Sequence, residues 1–81
     1  MSGPTEKQIE CLRVVRDLTT ALGHAPTLRD LAFRLRVRAV STVEARLHAL
    51  RTKGLATGSG RSLRLTTSGL DAIGGDHDSG T

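Results

Sequence analysis

Apolar residues recur at three- and four-residue steps in the first segment of this 81-residue chain, as they do along one face of a helix. The stripe consists of Ile9, Leu12, Val15, Leu18 and Leu22. Thr5 stands three residues before Gln8, which is the spacing of a capping box. Gly23 suits the left-handed position that ends many helices. The pattern therefore predicts a helix from about residue 6 to residue 22.

Two shorter segments repeat the helical spacing after Pro26, which pushes the preceding residue out of the helical region. Thr27 can cap a second helix, with Asp30 near its positive end. The apolar face of this helix consists of Leu28, Leu31, Ala32 and Leu35. Residues 36–40 form a turn. Ser41 then opens a third helix, with Glu44 at a second capping-box spacing. The buried stripe of the third helix consists of Val43, Leu47 and Leu50.

After Gly54 the period shortens to two, as in a strand. Leu63 and Leu65 alternate with Arg64, and Gly58 and Gly60 supply turn conformations before them. A hairpin follows the third helix, and a threonine at 66 or 67 can cap one short last helix. That helix contains two apolar residues, which either pack on the domain's own core or form a dimer interface: Leu70 and Ile73.

These elements predict a mainly α fold with a small β-hairpin. Three helices, a two-stranded wing and a short C-terminal helix make up a winged helix-turn-helix over residues 5–73. Residues 74–81 are polar, acidic and glycine-rich, and we expect them to be disordered. The core is nearly all aliphatic, because the chain has one Phe (Phe33) and neither Trp nor Tyr.

The net charge of +4 conceals a stronger local bias. Residues 29–64 hold nine basic and two acidic side chains, a net charge of +7. Such a field favours a polyanionic partner, and together with the helix pair and charged hairpin it indicates double-stranded DNA.

Other classes of function have little support. Cys11 is the only cysteine, so no intrachain disulfide can form. His24, His48 and His77 lie in separate elements without metal-ligand spacing. No nucleophile–base pair can be proposed, and we expect no enzyme activity, cofactor, metal or small-molecule ligand. No apolar run is long enough to span a membrane, and a cytoplasmic, nucleoid-associated protein is expected.

The first turns of the third helix are the principal candidate site. A recognition helix places its N-terminal residues in the major groove, where small or polar side chains fit. Ser41 and Thr42 can bond base edges or phosphates, Ala45 permits close approach, and Glu44 can accept from cytosine. For Ser41 the alternative is that its side chain only caps the helix. Arg46 suits a phosphate better than a base.

Five further arginines are candidates for contacts with the phosphate backbone of DNA. They are Arg29, Arg36, Arg38, Arg61 and Arg64. The alternative for each is a solvated surface charge, and a strand arginine can also serve only to blunt a sheet edge. Three other basic residues are interpreted as general contributors to the field: Arg34, Arg51 and Lys53.

Three stretches together resemble the N-terminal DNA-binding domain of LexA-type repressors. They are TEKQIECLRVVRD, APTLRDLAFRL and VEARLHALRTKGL, which lie between residues 5 and 65. The resemblance implies a winged helix-turn-helix that binds paired operator half-sites as a dimer. It also implies base-reading positions at Ser41, Thr42, Glu44 and Ala45.

The chain departs from the family pattern at several positions. Ala39 stands where the family has serine, Ser41 where it has asparagine, and Ala45 where it has glutamate. Arg36 replaces a usual glycine. The resemblance therefore implies an altered operator. The self-cleaving protease domain of the family has no counterpart here, so the chain is either a stand-alone regulator or a fragment.

The expected function is that of a sequence-specific transcriptional regulator, a repressor of bacterial or phage origin. The alternative is a winged-helix module that docks a protein partner. The operator, the regulated genes and any inducing signal cannot be inferred from the sequence.

Overall fold

The computed structural model describes residues 4–74. Its elements in chain order are α1 (Glu6–Leu22), α2 (Leu28–Leu35), α3 (Val40–Thr52), β1 (Ala56–Thr57), a 3-10 turn (Gly60–Ser62), β2 (Arg64–Leu65) and α4 (Thr67–Ala72). The prediction of three helices, a hairpin and a short last helix is confirmed. The expected disordered tail lies, apart from Gly74, outside the described residues.

Both ends of α1 have the predicted capping geometry. The Thr5 hydroxyl accepts from the Gln8 amide at 3.2 Å, and the Gln8 side-chain oxygen accepts from the Thr5 amide at 3.0 Å. Gly23 ends the helix at φ 81°, a conformation that glycine adopts without steric cost. The N-terminal bonds satisfy two amides that the helix itself leaves without partners.

A second capping box starts α2. The Thr27 hydroxyl accepts from the Asp30 amide at 3.1 Å, and the Asp30 carboxylate accepts from the Thr27 amide at 3.0 Å. These bonds with Thr27 favour the charged carboxylate and lower the pKa of Asp30. The helix ends at Arg36, whose φ of 61° is the left-handed conformation usually taken by glycine.

The predicted N-cap of α3, Ser41, lies two residues after the observed one. The helix begins at Val40, and its N-cap is Ala39, which has no side-chain oxygen with which to cap it. Ser41 and Glu44 therefore do not form the expected capping box. The reason is that Ala39 already has the extended conformation of an N-cap (φ −99°, ψ 132°), which places Ser41 inside the first turn.

The core lies where α1, α2 and α3 meet, with the hairpin and α4 closing one side. Its fully buried side chains are Cys11, Leu12, Val15, Leu31, Val43 and Leu50. Because no aromatic ring is buried among the described residues, the expectation of an aliphatic core is confirmed. Phe33 lies on the outer side of α2 and is 83% exposed.

The hairpin and α4 pack on this core. Ala56 pairs with Leu65, and Thr57 pairs with Arg64. Ile73 is buried in the core cluster, which decides between the two roles left open for it. Leu70 is half-buried beside Val15.

Candidate nucleic-acid interface

The outer face of α3 is made of small and polar residues. Opposite its buried stripe, exposed side chains recur at steps of three and four: Ser41, Ala45, His48 and Thr52. The first two belong to the predicted reading face. Since the N-cap is Ala39, which makes no side-chain hydrogen bond to the helix, the interpretation of Ser41 as the N-cap is excluded.

The remaining predicted readers lie on the two flanks of this face. Thr42 is half-buried on one flank, and Glu44 is exposed on the other. Ala45, between them, leaves room for close approach of a partner to the helix backbone. The N-terminal part of α3 thus presents two hydroxyls and one carboxylate around a small residue, which is a set able to bond base edges.

A cleft of about 440 Å³ separates α3 from the wing, which we define as residues 56–65. Glu44, Leu47 and Arg51 line it from α3, while Thr27 lines it from the start of α2. Arg61 lines it from the 3-10 turn at the tip of the wing, where its side chain is exposed. The fold therefore brings the predicted wing-tip arginine beside the predicted reading helix.

Arg51 has a more specific role than the general charge predicted for it. Its Nη1 donates to the carbonyl oxygen of Gly58 at 3.0 Å, which links the last turn of α3 to the wing. Lys53 also has a defined partner, because its Nζ donates to the side-chain oxygen of Gln8 at 2.8 Å. Both residues therefore make contacts within the domain in addition to carrying positive charge.

Arg46 lies on the flank of α3 nearer α1 and is half-buried. Its positive charge acts on Cys11, a fully buried residue of α1. Burial nevertheless dominates at that thiol and raises the pKa of Cys11 to about 11, while Arg46 opposes the shift and Glu10 adds to it. The interpretation of Arg46 as a phosphate contact rather than a base reader stays a prediction.

Three of the arginines predicted to contact DNA phosphates lie in or beside the helix-turn-helix. All three are exposed: Arg29, Arg36 and Arg38. Arg29 is in the first turn of α2, and the other two are in the connection to α3. The left-handed backbone of Arg36 forms the turn between the helices.

Arg64 is separate from the cleft. It is exposed on β2 but lines a different hollow, shared with Val15 and Thr19 of α1. The two wing arginines therefore lie on different sides of the hairpin, and only Arg61 is next to α3.

His48 is not among the residues predicted to read bases and was considered above only as a metal ligand. His48 lies seven residues after Ser41 and is exposed, so it extends the outer face of α3 by one turn. Helical spacing from Ser41 would have identified it. Within residues 4–74 no group of three or more His, Cys, Asp or Glu side chains could hold a metal ion.

The helices of the described part of the chain are too short or too polar to cross a membrane.

Comparison with known proteins identifies the family. The model of the LexA DNA-binding domain matches residues 1–62, which include α1, α2, α3 and the wing as far as the 3-10 turn. The chain belongs to the LexA DNA-binding domain family. The resemblance noted in the sequence is therefore confirmed.

Several repressors are similar to this LexA-type domain. The LexA repressor of Anaeromyxobacter dehalogenans (strain 2CP-C) is 31% identical over 84 residues, covering 100% of this chain and 37% of that repressor. The LexA repressor of Sodalis glossinidius (strain morsitans) is 36% identical over 80 residues, or 91% of this chain and 40% of its own length. That of Polaromonas naphthalenivorans (strain CJ2) is 33% identical over 72 residues, or 85% and 31%. The chain thus spans a little over a third of the length of the curated relatives it matches.

Proposed function

We propose that this LexA-type domain is the DNA-reading part of a transcriptional repressor that binds double-stranded DNA sequence-specifically. The observation that supports it most strongly is the outer face of α3, where Ser41 and Ala45 are exposed and Glu44 lines the cleft shared with Arg61 at the tip of the wing. A helix that presents small polar residues and is flanked by cations suits the major groove of a polyanionic duplex. Such a domain acts by binding in the compartment that holds the DNA, which for a bacterial or phage protein is the cytoplasm.

The proposed contacts divide into readers and anchors. Ser41, Thr42 and Glu44 bond base edges, and Ala45 lets the helix approach the groove. His48 extends this row toward the rim of the groove.

The anchors are arginines that contact phosphates: Arg29, Arg36, Arg38, Arg46 and Arg61. Phosphate contacts fix the register of the helix but carry no sequence information. Arg61, at the tip of the wing, lies along the backbone or enters the minor groove. Arg64 is a weaker candidate because it lies on the other side of the hairpin.

A single domain of this size covers little DNA, and two copies on paired half-sites would bind more tightly. The similar proteins are named LexA repressors, and this chain covers 37% and 31% of the length of two of them. With Ile73 buried in the core, Leu70 is the remaining apolar candidate on α4 for a contact between copies.

The proposal is tested by selecting duplexes from a random pool with the full chain and measuring affinity by fluorescence anisotropy. Thr42→Ala is expected to relax selectivity at one or two base positions, where a lost base contact costs about 1–3 kcal/mol. Arg61→Ala is expected to weaken binding to selected and scrambled duplexes alike. Arg13→Ala, on the exposed side of α1, is the charge-matched control. The proposal would be contradicted if the folded wild-type protein bound all duplexes with the same affinity.

A second candidate function is a protein-docking module. It is favoured by Phe33, whose ring is 83% exposed on α2. An exposed ring is typical of interface residues. Phe33→Ser separates the two functions, because it leaves duplex affinity unchanged under the first and removes partner binding under the second.

A further inference from the structure

The hydrogen bond between Arg51 and Gly58 joins the reading helix to the wing. Arg51 lies in the last turn of α3 and is half-buried, and its Nη1 is 3.0 Å from the Gly58 oxygen. We propose that Arg51 is a positioning residue that holds the wing at a fixed angle to α3 without contacting DNA itself. The proposal rests on the proposed function, since it concerns how one duplex is engaged by both elements.

The wing needs such a link because its own hairpin is small. β1 and β2 contain two residues each and pair at two positions. A two-stranded hairpin of this length is marginal in water without contacts to the rest of the domain. A hydrogen bond from outside the hairpin therefore has a large effect on where its tip lies.

Both ends of the link are held in place. On the helix side, the Leu55 amide donates to the Leu50 carbonyl at 2.8 Å, which closes the C-terminus of α3. On the wing side, Gly58 has φ 81°, and a Cβ there would lie 2.1 Å from the carbonyl oxygen of Ser62. Gly58 thus lies close against the end of the turn that contains Arg61, which leaves no room for a side chain at position 58.

The chemistry of the pair suits a positioning role. A guanidinium that donates to a carbonyl makes a charge-assisted bond, which is stronger than a neutral one. Arg51 occupies the flank of α3 facing the cleft, in line with Glu44 and Leu47 at helical spacing. It does not lie on the outer face, where a side chain would meet the groove directly.

A double-mutant cycle on the full chain tests the proposal. The probe is a duplex selected by the wild-type protein, and the variants are Arg51→Met, Arg61→Ala and the two combined. Arg51→Met is expected to weaken binding about threefold to tenfold, which corresponds to the net contribution of one ordinary intramolecular hydrogen bond. In the Arg61→Ala background the same change is expected to cost less than about twofold, because there is no wing contact left to position.

Two results would overturn the proposal. One is equal loss in both backgrounds, which is the behaviour of a direct phosphate contact. The other is an affinity unchanged by Arg51→Met. Arg13→Met removes the same charge from α1 and controls for the general field.

A measurement without DNA separates this inference from the proposed function. In the folded wing the Ser62 amide donates to the Ser59 carbonyl, and the Leu63 amide donates to the Gly60 carbonyl. Hydrogen exchange at these two amides is expected to accelerate at least about threefold in Arg51→Met, with α1 amides unchanged. Equal acceleration throughout the domain would show a general loss of stability and overturn the positioning role. A chain that binds no duplex at any salt concentration would overturn the proposed function, while the exchange rates would still decide whether Arg51 holds the wing.

Discussion

The hydroxyl of Thr66 donates to the carbonyl of Gly54 at 2.7 Å. The same oxygen accepts from the Gly69 amide at 3.0 Å, and so caps α4. One side chain therefore connects the end of α3 to the start of α4 across the base of the hairpin. The sequence left the cap of this helix open between Thr66 and Thr67, and the structure assigns it to Thr66. The second bond of Thr66 could not be predicted from local sequence, because Gly54 lies twelve residues away.

Thr66→Val is expected to destabilise the domain, because it keeps the shape of the side chain and removes both bonds. The loss is about 1–3 kcal/mol in the free energy of unfolding, from a missing cap and a carbonyl left without its donor. Thr66→Ser keeps the hydroxyl and is the matched control. Urea denaturation measures both, and equal stability of the two variants would contradict the assignment.

Gly69 is required for packing. It is buried in α4, and a Cβ there would lie 2.0 Å from the carbonyl oxygen of Leu55. Although alanine favours helices, Gly69→Ala is expected to lower the melting temperature, since the helix must move away from the hairpin. Ser68→Ala, at an exposed position of the same helix, controls for helix propensity. A melting temperature equal to or above the wild-type value in Gly69→Ala would show that this contact is not tight.

Because α3 begins before Ser41, removing the hydroxyl of Ser41 and that of Thr27 is expected to have different effects on stability. Ser41→Ala is expected to change stability by less than about 0.5 kcal/mol, because Ser41 does not cap the helix. Thr27→Ala is expected to cost about 1 kcal/mol, because Thr27 does cap α2. Under the proposed function, Ser41→Ala still weakens binding to a selected duplex. A stability loss in Ser41→Ala as large as that in Thr27→Ala would restore the capping role.

Cys11 should be inert in the folded domain and should make stability depend on alkaline pH. Its pKa is raised from 9.0 to about 11 by burial, so the folded state retains the proton while the unfolded state loses it. The associated stability is complete below pH 9 and falls between pH 9 and about 11. Cys11→Ala is expected to remove this part of the pH dependence.

A thiol reagent offers a second check on Cys11. At pH 8 it is expected to modify the folded chain far more slowly than the chain unfolded in urea, since the thiolate is the reactive form. Equal rates would show that the thiol is exposed.

Local signals account for the parts of the fold that could be predicted. Capping boxes and terminal glycines act within four residues, and those at Thr5, Gly23 and Thr27 gave the ends of α1 and the start of α2 correctly. The same signal failed at Ser41, because Ala39 has the extended conformation of an N-cap and starts the helix two residues earlier. Spacing alone cannot distinguish a capping serine from one inside the first turn.

The missed features depend on contacts between distant residues. The bond from Arg51 to Gly58 and the approach of Gly69 to Leu55 join elements whose relative placement no local pattern contains. Arg61 and Arg64 are separated because Arg61 lies in the 3-10 turn and lines the cleft beside α3, whereas Arg64 lies on β2 and lines a hollow beside α1.

The salt dependence of duplex binding tests the central claim most directly. The full chain is expected to bind a duplex selected from a random pool. The logarithm of its association constant K is expected to fall linearly with the logarithm of the salt concentration. Contact with roughly four to six phosphates gives a slope of about −4 to −5. A scrambled duplex of the same length should bind more weakly at every salt concentration. Folded protein that shows no salt-sensitive binding to any selected duplex would contradict the account.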